Sequence, residues 1–155
     1  MKLEACKALR MALIRTARPG DVEQVLLLWD RAAGPTRLPG DALAVLRLLE
    51  RDDDALLIAE ERGEIVATLI VGWDGWRCHL YRMAVRDDFR RQGLATDLLD
   101  HARERARRLG ARRLDAMVDA DNEAGSRFWA ANGFVDGASQ DHRWTSPVAA
   151  VTRGQ

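Results

Sequence analysis

The segment from Cys78 to Thr96 constrains the fold of this chain most strongly, because it predicts a strand that runs directly into a long helix. Apolar residues compatible with an extended backbone continue up to Val85, and the apolar residues after Gly93 recur with helical spacing. The first turn of a helix has N–H groups without intrahelical partners, and the helix dipole adds partial positive charge there. With Arg90 and Arg91 beside it, and with Gly93 allowing a ligand close to the backbone, this turn predicts an anion-binding site.

Strand and helix patterns alternate along the rest of the chain and predict a single mixed α/β domain. The other predicted strands are Leu13–Ala17, Ala55–Ala59, Glu64–Val71, Arg113–Val118, one that begins at Gly133, and one in the tail from His142 to Val151. Helices are predicted after Asp21 and Asp41, which are expected to act as N-terminal caps, after Gly93, and after Asn122. In the second helix, Leu43, Leu46 and Leu49 are expected to face the core.

The composition argues against several classes of function. The chain has 155 residues with 24 basic and 24 acidic side chains, so its net charge creates no field that would attract nucleic acid or an anionic membrane. Cys6 and Cys78 match no metal-binding or redox spacing, so we expect free thiols in a reducing cytosol and no metal site. No apolar run is long enough to cross a membrane, and no secretion signal is recognisable. We therefore expect a cytoplasmic protein with an N-terminal extension, residues 1–10, before a domain of residues 11–155.

The anion-binding turn carries a short motif that resembles one known family. Arg90-x-x-Gly93-x-Ala95 follows the strand end Met83–Val85. This pattern resembles the acyl-CoA pyrophosphate motif of the GNAT N-acetyltransferases, usually written (Gln/Arg)-x-x-Gly-x-(Gly/Ala). The resemblance implies that the amides around Gly93 bind the pyrophosphate of acetyl-CoA.

A second motif follows towards the C-terminus. Residues 122–134 contain the pattern Asn-x-x-Gly-x-x-Phe-Trp-x-x-x-Gly-Phe, which resembles the closing motif of the same family, usually Asn-x-x-Ala-x-x-(Phe/Leu)-Tyr-x-x-x-Gly-Phe. The spacing from Gly93 to Asn122 fits one helix and one strand, and two motifs in this order are more specific than either alone. The Gly-Trp-Asp-Gly-Trp-Arg turn at residues 72–77 also resembles a bacterial YpeA-like branch of the family.

The resemblance implies a fold, a cosubstrate and a set of binding residues. The implied fold is a twisted, mostly antiparallel sheet of six or seven strands flanked by about four helices. Its fourth and fifth strands, here His79–Val85 and Arg113–Val118, splay apart, and the pantetheine arm of acetyl-CoA fills the gap as a pseudo-strand. No metal is implied. By the resemblance, the residues that bind the cosubstrate are Met83, Ala84, Val85, Arg90, Arg91, Gln92, Gly93, Leu94, Ala95, Thr96, Asn122, Phe128 and Trp129.

The implied activity is transfer of an acetyl group from acetyl-CoA to a primary amine, in a small molecule or a protein, by direct attack in a ternary complex. A non-enzymatic module that binds or senses acyl-CoA is an alternative, because the tyrosine of the closing motif is replaced by Trp129. Acetylation of aminoacyl-tRNA is disfavoured, because it would suit a basic chain. We expect the acceptor amine between the loop 34–40, the second helix and the tail after Phe134. Family members are often dimers, so the resemblance also allows a homodimer.

Acyl transfer requires a base for the acceptor ammonium, whose pKa is about 10, and a proton or positive surroundings for the departing thiolate. His79 lies where some family members have a glutamate, on a strand face expected to include Tyr81 and Met83, and is the candidate base. A strand histidine with a purely structural hydrogen bond is the alternative. The indole of Trp129 is no practical proton source. Tyr81 is the candidate acid in its place, with a packing role as the alternative, and departure of the thiolate without a dedicated acid is favoured slightly over both.

Overall fold

The computed structural model describes residues 12–32, 40–119 and 121–137 and the backbone of residues 143–147. In these ranges the strands are β1 Leu13–Thr16, β2 Leu56–Glu61, β3 Glu64–Trp73, β4 Cys78–Val85, β5 Arg113–Met117, β6 Val135–Asp136 and β7 Arg143–Pro147. The helices are α1 Val22–Ala32, α2 Ala42–Arg51, α3 Leu94–Leu109 and α4 Glu123–Ala131. The predicted alternation of strands and helices is confirmed, and the predicted extension, residues 1–10, lies outside the described residues.

The strands form one sheet in the order β1-β2-β3-β4-β5-β7-β6. β4 and β5 run parallel, and the other neighbouring strands in the described ranges run antiparallel. α3 forms the long crossover that a parallel pair of strands requires. The predicted fold class, a mostly antiparallel sheet of six or seven strands with about four helices, is therefore confirmed.

Two hydrophobic clusters cover the two faces of the sheet. The α3 cluster joins residues of α3 and α4, such as Leu98 and Trp129, to one face of the sheet. The α1 cluster joins residues of α1 and α2, such as Trp29 and Leu49, to the other face, which includes Ile70. Because side chains alternate between the faces of a strand, the cluster that a strand residue joins shows which face it occupies.

The predicted cap of α2 is confirmed, and its predicted buried face is right for Leu49 but wrong for Leu43 and Leu46. The carboxylate of Asp41 accepts a hydrogen bond from the N–H of Leu43 at 2.9 Å. Val45 and Leu49 are buried, whereas Leu43 is 60% exposed and Leu46 is 38% exposed. α2 has apolar residues on more than one face, so helical spacing alone does not identify the face that packs against the sheet.

Asp21 precedes α1 as predicted but does not cap it. Residues Pro19–Asp21 form a 3-10 turn, and the carboxylate of Asp21 turns back to accept the N–H of Arg18 at 2.7 Å. The guanidinium of Arg15 donates to the same carboxylate at 2.7 Å and holds the pKa of Asp21 below its ordinary value. Asp21 therefore fixes the connection from β1 to α1 instead of satisfying the first turn of the helix.

Candidate active site

β4 and β5 separate part-way along their length. The paired residues run from Cys78 opposite Leu114 to Leu80 opposite Ala116. In the described part of the chain, β4 has no partner on β5 from Tyr81 onwards. The predicted splay of these two strands is therefore confirmed, and the C-terminal half of β4 has one edge paired with β3 and one edge facing a gap.

A β-bulge lies in β4 where the gap opens. The register of β3 against β4 shifts between the pairs Thr68–Ala84 and Ile70–Tyr81. Arg82 and Met83 therefore lie opposite the single residue Leu69, and Arg82 has a φ of +54°, which is uncommon for a residue other than glycine. The bulge changes the local direction of the strand at the point where β5 leaves it.

The bulge also moves Met83 away from the face on which the sequence placed it. Tyr81 is paired with Ile70, which belongs to the α1 cluster, and His79 shares that face by alternation. Met83 instead packs against the α3 cluster. The predicted common face of His79, Tyr81 and Met83 is therefore wrong for Met83, because one additional residue at the bulge reverses the alternation of side chains.

The open edge of β4 directs amide groups into the gap. The N–H of Arg86 donates to the carbonyl of Val66 at 2.8 Å, and Ala84 pairs with Thr68 in the same register, so Arg86 and Ala84 direct their N–H groups to β3. Val85 lies between them and therefore directs its N–H away from β3. An extended ligand in the gap would meet this N–H group as a neighbouring strand would.

A buried set of contacts holds the bulge. The indole Nε1–H of Trp29 donates to Oγ1 of Thr68 at 2.8 Å, and that hydroxyl donates to the carbonyl of Arg82 at 2.9 Å. The guanidinium of Arg82 lies over the Trp29 ring, 4.8 Å from its centroid. Thr68 is fully buried and Trp29 is 5% exposed. Their spacing in the sequence gives no signal of this contact, because 39 residues separate them.

The start of α3 has the features of an anion site. Gly93 takes the N-terminal cap position with a φ of +86° and has no side chain with which to cap the helix. The first intrahelical bond runs from the N–H of Asp97 to the carbonyl of Gly93 at 2.9 Å. The N–H groups of Leu94, Ala95 and Thr96 precede that bond and have no intrahelical acceptor. A Cβ at Gly93 would meet no heavy atom within 4 Å, so the space above this turn is open to a ligand.

The side chains of the first motif have different surroundings: some hold the loop before α3, one is buried and one faces solvent. Arg90 forms an ion pair with Asp87 at 3.0 Å, and Gln92 donates to the carbonyl of Asp88 at 3.1 Å. Leu94 is buried in the α3 cluster. Arg91 is exposed, has a φ of +58°, and forms no ion pair with a described residue. Arg91 is therefore the guanidinium of this loop that remains available to an anion.

The second motif forms the start of α4 and part of the core. Oδ1 of Asn122 accepts the N–H of Gly125 at 2.9 Å and caps α4. A Cβ at residue 125 would lie 2.6 Å from Nδ2 of Asn122, so glycine makes room for this conformation where the family usually has alanine. Trp129 is 4% exposed and packs edge-on against Phe128 and Phe134, with ring centroids 5.0 and 4.9 Å away. Trp129 thus lies in the core instead of at the gap.

One hydrophobic cluster brings the two motifs together. The α3 cluster contains Leu94 from the first motif and Trp129 from the second. Met83 and Val85 from the open half of β4 pack against the same cluster, as does Phe128. Ala84 is the exception, because its side chain is buried in the α1 cluster on the other face of the sheet.

His79 forms a pair with a carboxylate in the β3–β4 turn. Its Nε2 lies 3.0 Å from Oδ2 of Asp74. The N–H groups of Arg77 and Trp76 also donate to this carboxylate, each at 2.8 Å, and with His79 they hold the pKa of Asp74 well below its ordinary value. An ionised carboxylate can only accept hydrogen bonds, so Nε2 of His79 carries a proton and Nδ1 is the basic nitrogen of the neutral ring.

A buried ion pair that the sequence did not reveal lies at the closed end of the gap. Asp115 is fully buried, opposite His79 in the register of β4 and β5. Its carboxylate accepts two hydrogen bonds from Arg113, at 2.8 and 3.1 Å, and lies 3.2 Å from Nη1 of Arg77. Nε of Arg77 also lies 3.3 Å from Asp74. Alternation places Arg113 and Asp115 on one face of β5, which is the only sequence signal of this pair.

Tyr81 is the first residue of β4 beyond the part paired with β5. Its ring covers Gly72, since a Cβ at Gly72 would lie 3.4 Å from Cε1 and 3.7 Å from the hydroxyl. Burial raises the pKa of Tyr81, so the hydroxyl keeps its proton at neutral pH. Among the described residues, none forms a hydrogen bond with this hydroxyl, which leaves it available to a ligand.

A cleft of about 440 Å³ lies between the end of α1 and the loop after β4. Its lining residues are Leu28, Arg31, Ala32, Val85, Arg86, Asp87 and Asp88. Most of the loop 34–40, which was expected to border the acceptor site, lies outside the described residues. The described ranges contain no cluster of His, Cys, Asp or Glu side chains that would hold a metal ion. They also contain no helix long and apolar enough to span a membrane.

Comparison with known proteins agrees with this geometry at the level of the fold. The structure superimposes on that of Ard1 from Thermoplasma volcanium with a TM-score of 0.75, at 20% identity, covering 89% of this chain and 98% of the other. It superimposes on a structure from Salmonella typhimurium that contains the cofactor acetyl-CoA with a TM-score of 0.73, at 18% identity, covering 93% and 98%.

The sequence comparisons define the family. A protein from Sodalis glossinidius named acetyltransferase is 32% identical over 111 residues, which cover 72% of this chain and 78% of the relative. Residues 22–134 match the Acetyltransferase (GNAT) family. This match includes the turn at Gly93, the gap and the second motif. The chain therefore belongs to the GNAT acetyltransferase family and is an N-acetyltransferase that uses acetyl-CoA as its cosubstrate.

Proposed function

We propose that this enzyme binds acetyl-CoA in the gap between β4 and β5 and transfers the acetyl group to a primary amine by direct attack in a ternary complex. The observation that carries this proposal is the end of β4–β5 pairing at Leu80 and Ala116, beside an uncapped helix start at Gly93. Membership of an acetyltransferase family supports an enzyme in preference to a module that only binds acyl-CoA.

The residues that hold the cosubstrate act through backbone groups and the side chains of Arg91 and Asn122. The N–H groups of Leu94, Ala95 and Thr96 and the guanidinium of Arg91 bind the pyrophosphate, because an uncapped helix start presents donors and partial positive charge. The N–H of Val85 donates a hydrogen bond to the pantetheine arm, as it would to a neighbouring strand. The exposed face of Asn122 contacts the arm from the wall formed by α4.

His79 acts as the base that removes a proton from the attacking ammonium group, directly or through a water. Its pairing with Asp74 at 3.0 Å supports this role, because the carboxylate fixes the tautomer and the orientation of the ring. The position of His79 also supports it, since the residue lies on the same face as Tyr81 where the two strands separate.

Tyr81 donates a hydrogen bond to the departing thiolate. Its hydroxyl keeps its proton because burial raises its pKa, and it lies at the mouth of the gap. A thiolate whose ordinary pKa is about 8.5 can leave with this hydrogen bond alone, without a complete proton transfer. The buried indole of Trp129 is not required in this mechanism.

The test is release of CoA from acetyl-CoA over a panel of primary amines, including short peptides, followed by a free-thiol reagent. We expect release that depends on the amine, and a large loss of turnover in His79→Gln at neutral pH. His101→Gln is the matched control, since His101 is an exposed histidine on α3 whose Nδ1 contacts the carbonyl of Asp97. Tight binding of acetyl-CoA without release of CoA for any amine would contradict the proposal.

A further inference from the structure

The contacts of Trp29 and Thr68 with the bulge suggest a role in the reaction itself. The family resemblance implies that the backbone of Met83 polarises the thioester carbonyl of the acetyl donor or pairs with its pantetheine arm. We propose that Trp29 and Thr68 are positioning residues that aim the amide of Met83 at that carbonyl. This inference rests on the proposed binding of acetyl-CoA in the gap. Neither side chain touches the reacting atoms, so both act through the peptide between Arg82 and Met83.

Chemistry fixes the direction of both hydrogen bonds in the chain from Trp29 through Thr68 to the carbonyl of Arg82. An indole N–H can only donate, so Oγ1 of Thr68 accepts from Trp29 at 2.8 Å. The single hydroxyl proton of Thr68 is then left for the carbonyl of Arg82, at 2.9 Å. Both side chains are buried, so water cannot take the place of either partner. The carbonyl of Arg82 therefore has one defined direction, towards β3.

The same peptide carries the N–H of Met83. A trans peptide directs its carbonyl and its N–H to opposite sides, and the described residues include no cis peptide bond. With the carbonyl of Arg82 fixed towards β3, the N–H of Met83 points towards the gap. Arg82 has a φ of +54° at this peptide, a conformation that is strained for an arginine.

Trp29 also contacts the side chain of Arg82. The guanidinium of Arg82 lies 4.8 Å from the centroid of the Trp29 ring. Trp29 thus supports both the backbone of residue 82, through Thr68, and its side chain. Such support matters because a hydrogen-bond donor lowers a barrier most when it needs no reorganisation as charge grows on the carbonyl oxygen.

The kinetic test uses the pair Thr68→Val and Thr68→Ser. Valine has nearly the shape of threonine but cannot donate, so kcat should fall about 10- to 100-fold, less than complete removal of such a donor, with the KM for acetyl-CoA nearly unchanged. Serine keeps the hydroxyl and should restore most of kcat. Thr16→Val in β1 is the matched control and should leave both constants unchanged. Equal loss of kcat in the valine and serine variants would overturn the inference.

A second measurement needs no turnover. The chain has four methionines, so ¹⁵N-methionine labelling gives few amide signals, and the Met83→Leu variant identifies the signal of Met83. Acetyl-CoA should move the Met83 amide proton downfield further than CoA does, and Thr68→Val should remove this difference. The inference fails if both ligands move the signal equally in the wild type, or if Thr68→Val retains the difference. Wild-type protein that releases no CoA with any amine would refute the proposed function, whereas this measurement still decides the role of Thr68.

Discussion

Replacement of Gly93 by alanine should lower both the stability of the protein and its affinity for acetyl-CoA, and the two effects can be measured separately. Gly93 has a φ of +86° and a ψ of 1°, the left-handed conformation, in which an alanine costs about 1–2 kcal/mol. A Cβ at this position meets no heavy atom within 4 Å, so no clash adds to that strain. We therefore expect the unfolding free energy of Gly93→Ala to fall by about 1–2 kcal/mol, which lowers the Tm of a domain of this size by roughly 2–8 °C.

The effect on acetyl-CoA should exceed this change in stability. The added methyl group projects into open space at the turn where the pyrophosphate is proposed to bind to the N–H groups of Leu94, Ala95 and Thr96. A hydrogen bond to a charged group contributes about 1.5–3 kcal/mol, so displacement of one phosphate oxygen should weaken the Kd at least about tenfold. Calorimetric titration of the folded variant with acetyl-CoA measures this change.

Gly110→Ala is the matched control. Gly110 ends the same helix with a φ of +75°, and a Cβ there also meets no heavy atom within 4 Å. Both variants should lose similar thermal stability, but Gly110→Ala should bind acetyl-CoA with the affinity of the wild type. Equal Kd values in the two variants would refute the assignment of the pyrophosphate site to the start of α3, whatever their Tm values.

Three further predictions concern single residues. Asp74→Asn should have a lower Tm than the wild type at pH 7, because Arg77 and His79 hold the pKa of the folded Asp74 carboxyl below its ordinary value of 3.8. The difference in Tm between variant and wild type should shrink in thermal scans as the pH falls below 3.8. A difference at pH 3 equal to that at pH 7 would contradict this. Trp129→Tyr should lose about 1–3 kcal/mol of stability in urea unfolding and gain no turnover, because its hydroxyl would lie in an apolar cluster; faster turnover would restore residue 129 as a candidate acid position. Cys78 should resist iodoacetamide at pH 8 until the protein unfolds, since burial raises its pKa to about 11, and peptide mass mapping that shows rapid native labelling would disprove this.

The parts of the fold that follow from local pattern were predictable from the sequence. Periodicity placed α3 after Gly93, and the cap at Asp41 marked the start of α2, because both signals lie within a few residues of the structure that they predict. The two motifs located the gap and the helix start that borders it. The buried face of α2 was not predictable, since Leu43 and Val45 are both apolar and only the sheet beneath the helix selects between them.

The bulge at Arg82 could not be predicted, for a different reason. An arginine has no local preference for a positive φ, so the conformation depends on contacts from distant parts of the chain. Those contacts come from Trp29 and Thr68, whose sequence pattern is that of ordinary core residues. The error about the face of Met83 follows from the same cause, because strict alternation along a strand fails wherever one residue is added.

Charge at the closed end of the gap explains why the two strands separate where they do. The buried carboxylate of Asp115 binds Arg113 on its own strand and Arg77 in the turn just before β4, so ion pairing holds the first residues of β5 against the start of β4. The ladder ends one residue later, at Ala116. Beyond it, the bulge at Arg82 and its support from Thr68 fix β4 from the opposite side, so β4 cannot follow β5 as it leaves. The gap therefore depends on two sets of contacts, the ion pairs of Asp115 at its closed end and the hydrogen bond of Thr68 to the bulge. Its unpaired amides exist in the folded enzyme before any ligand binds.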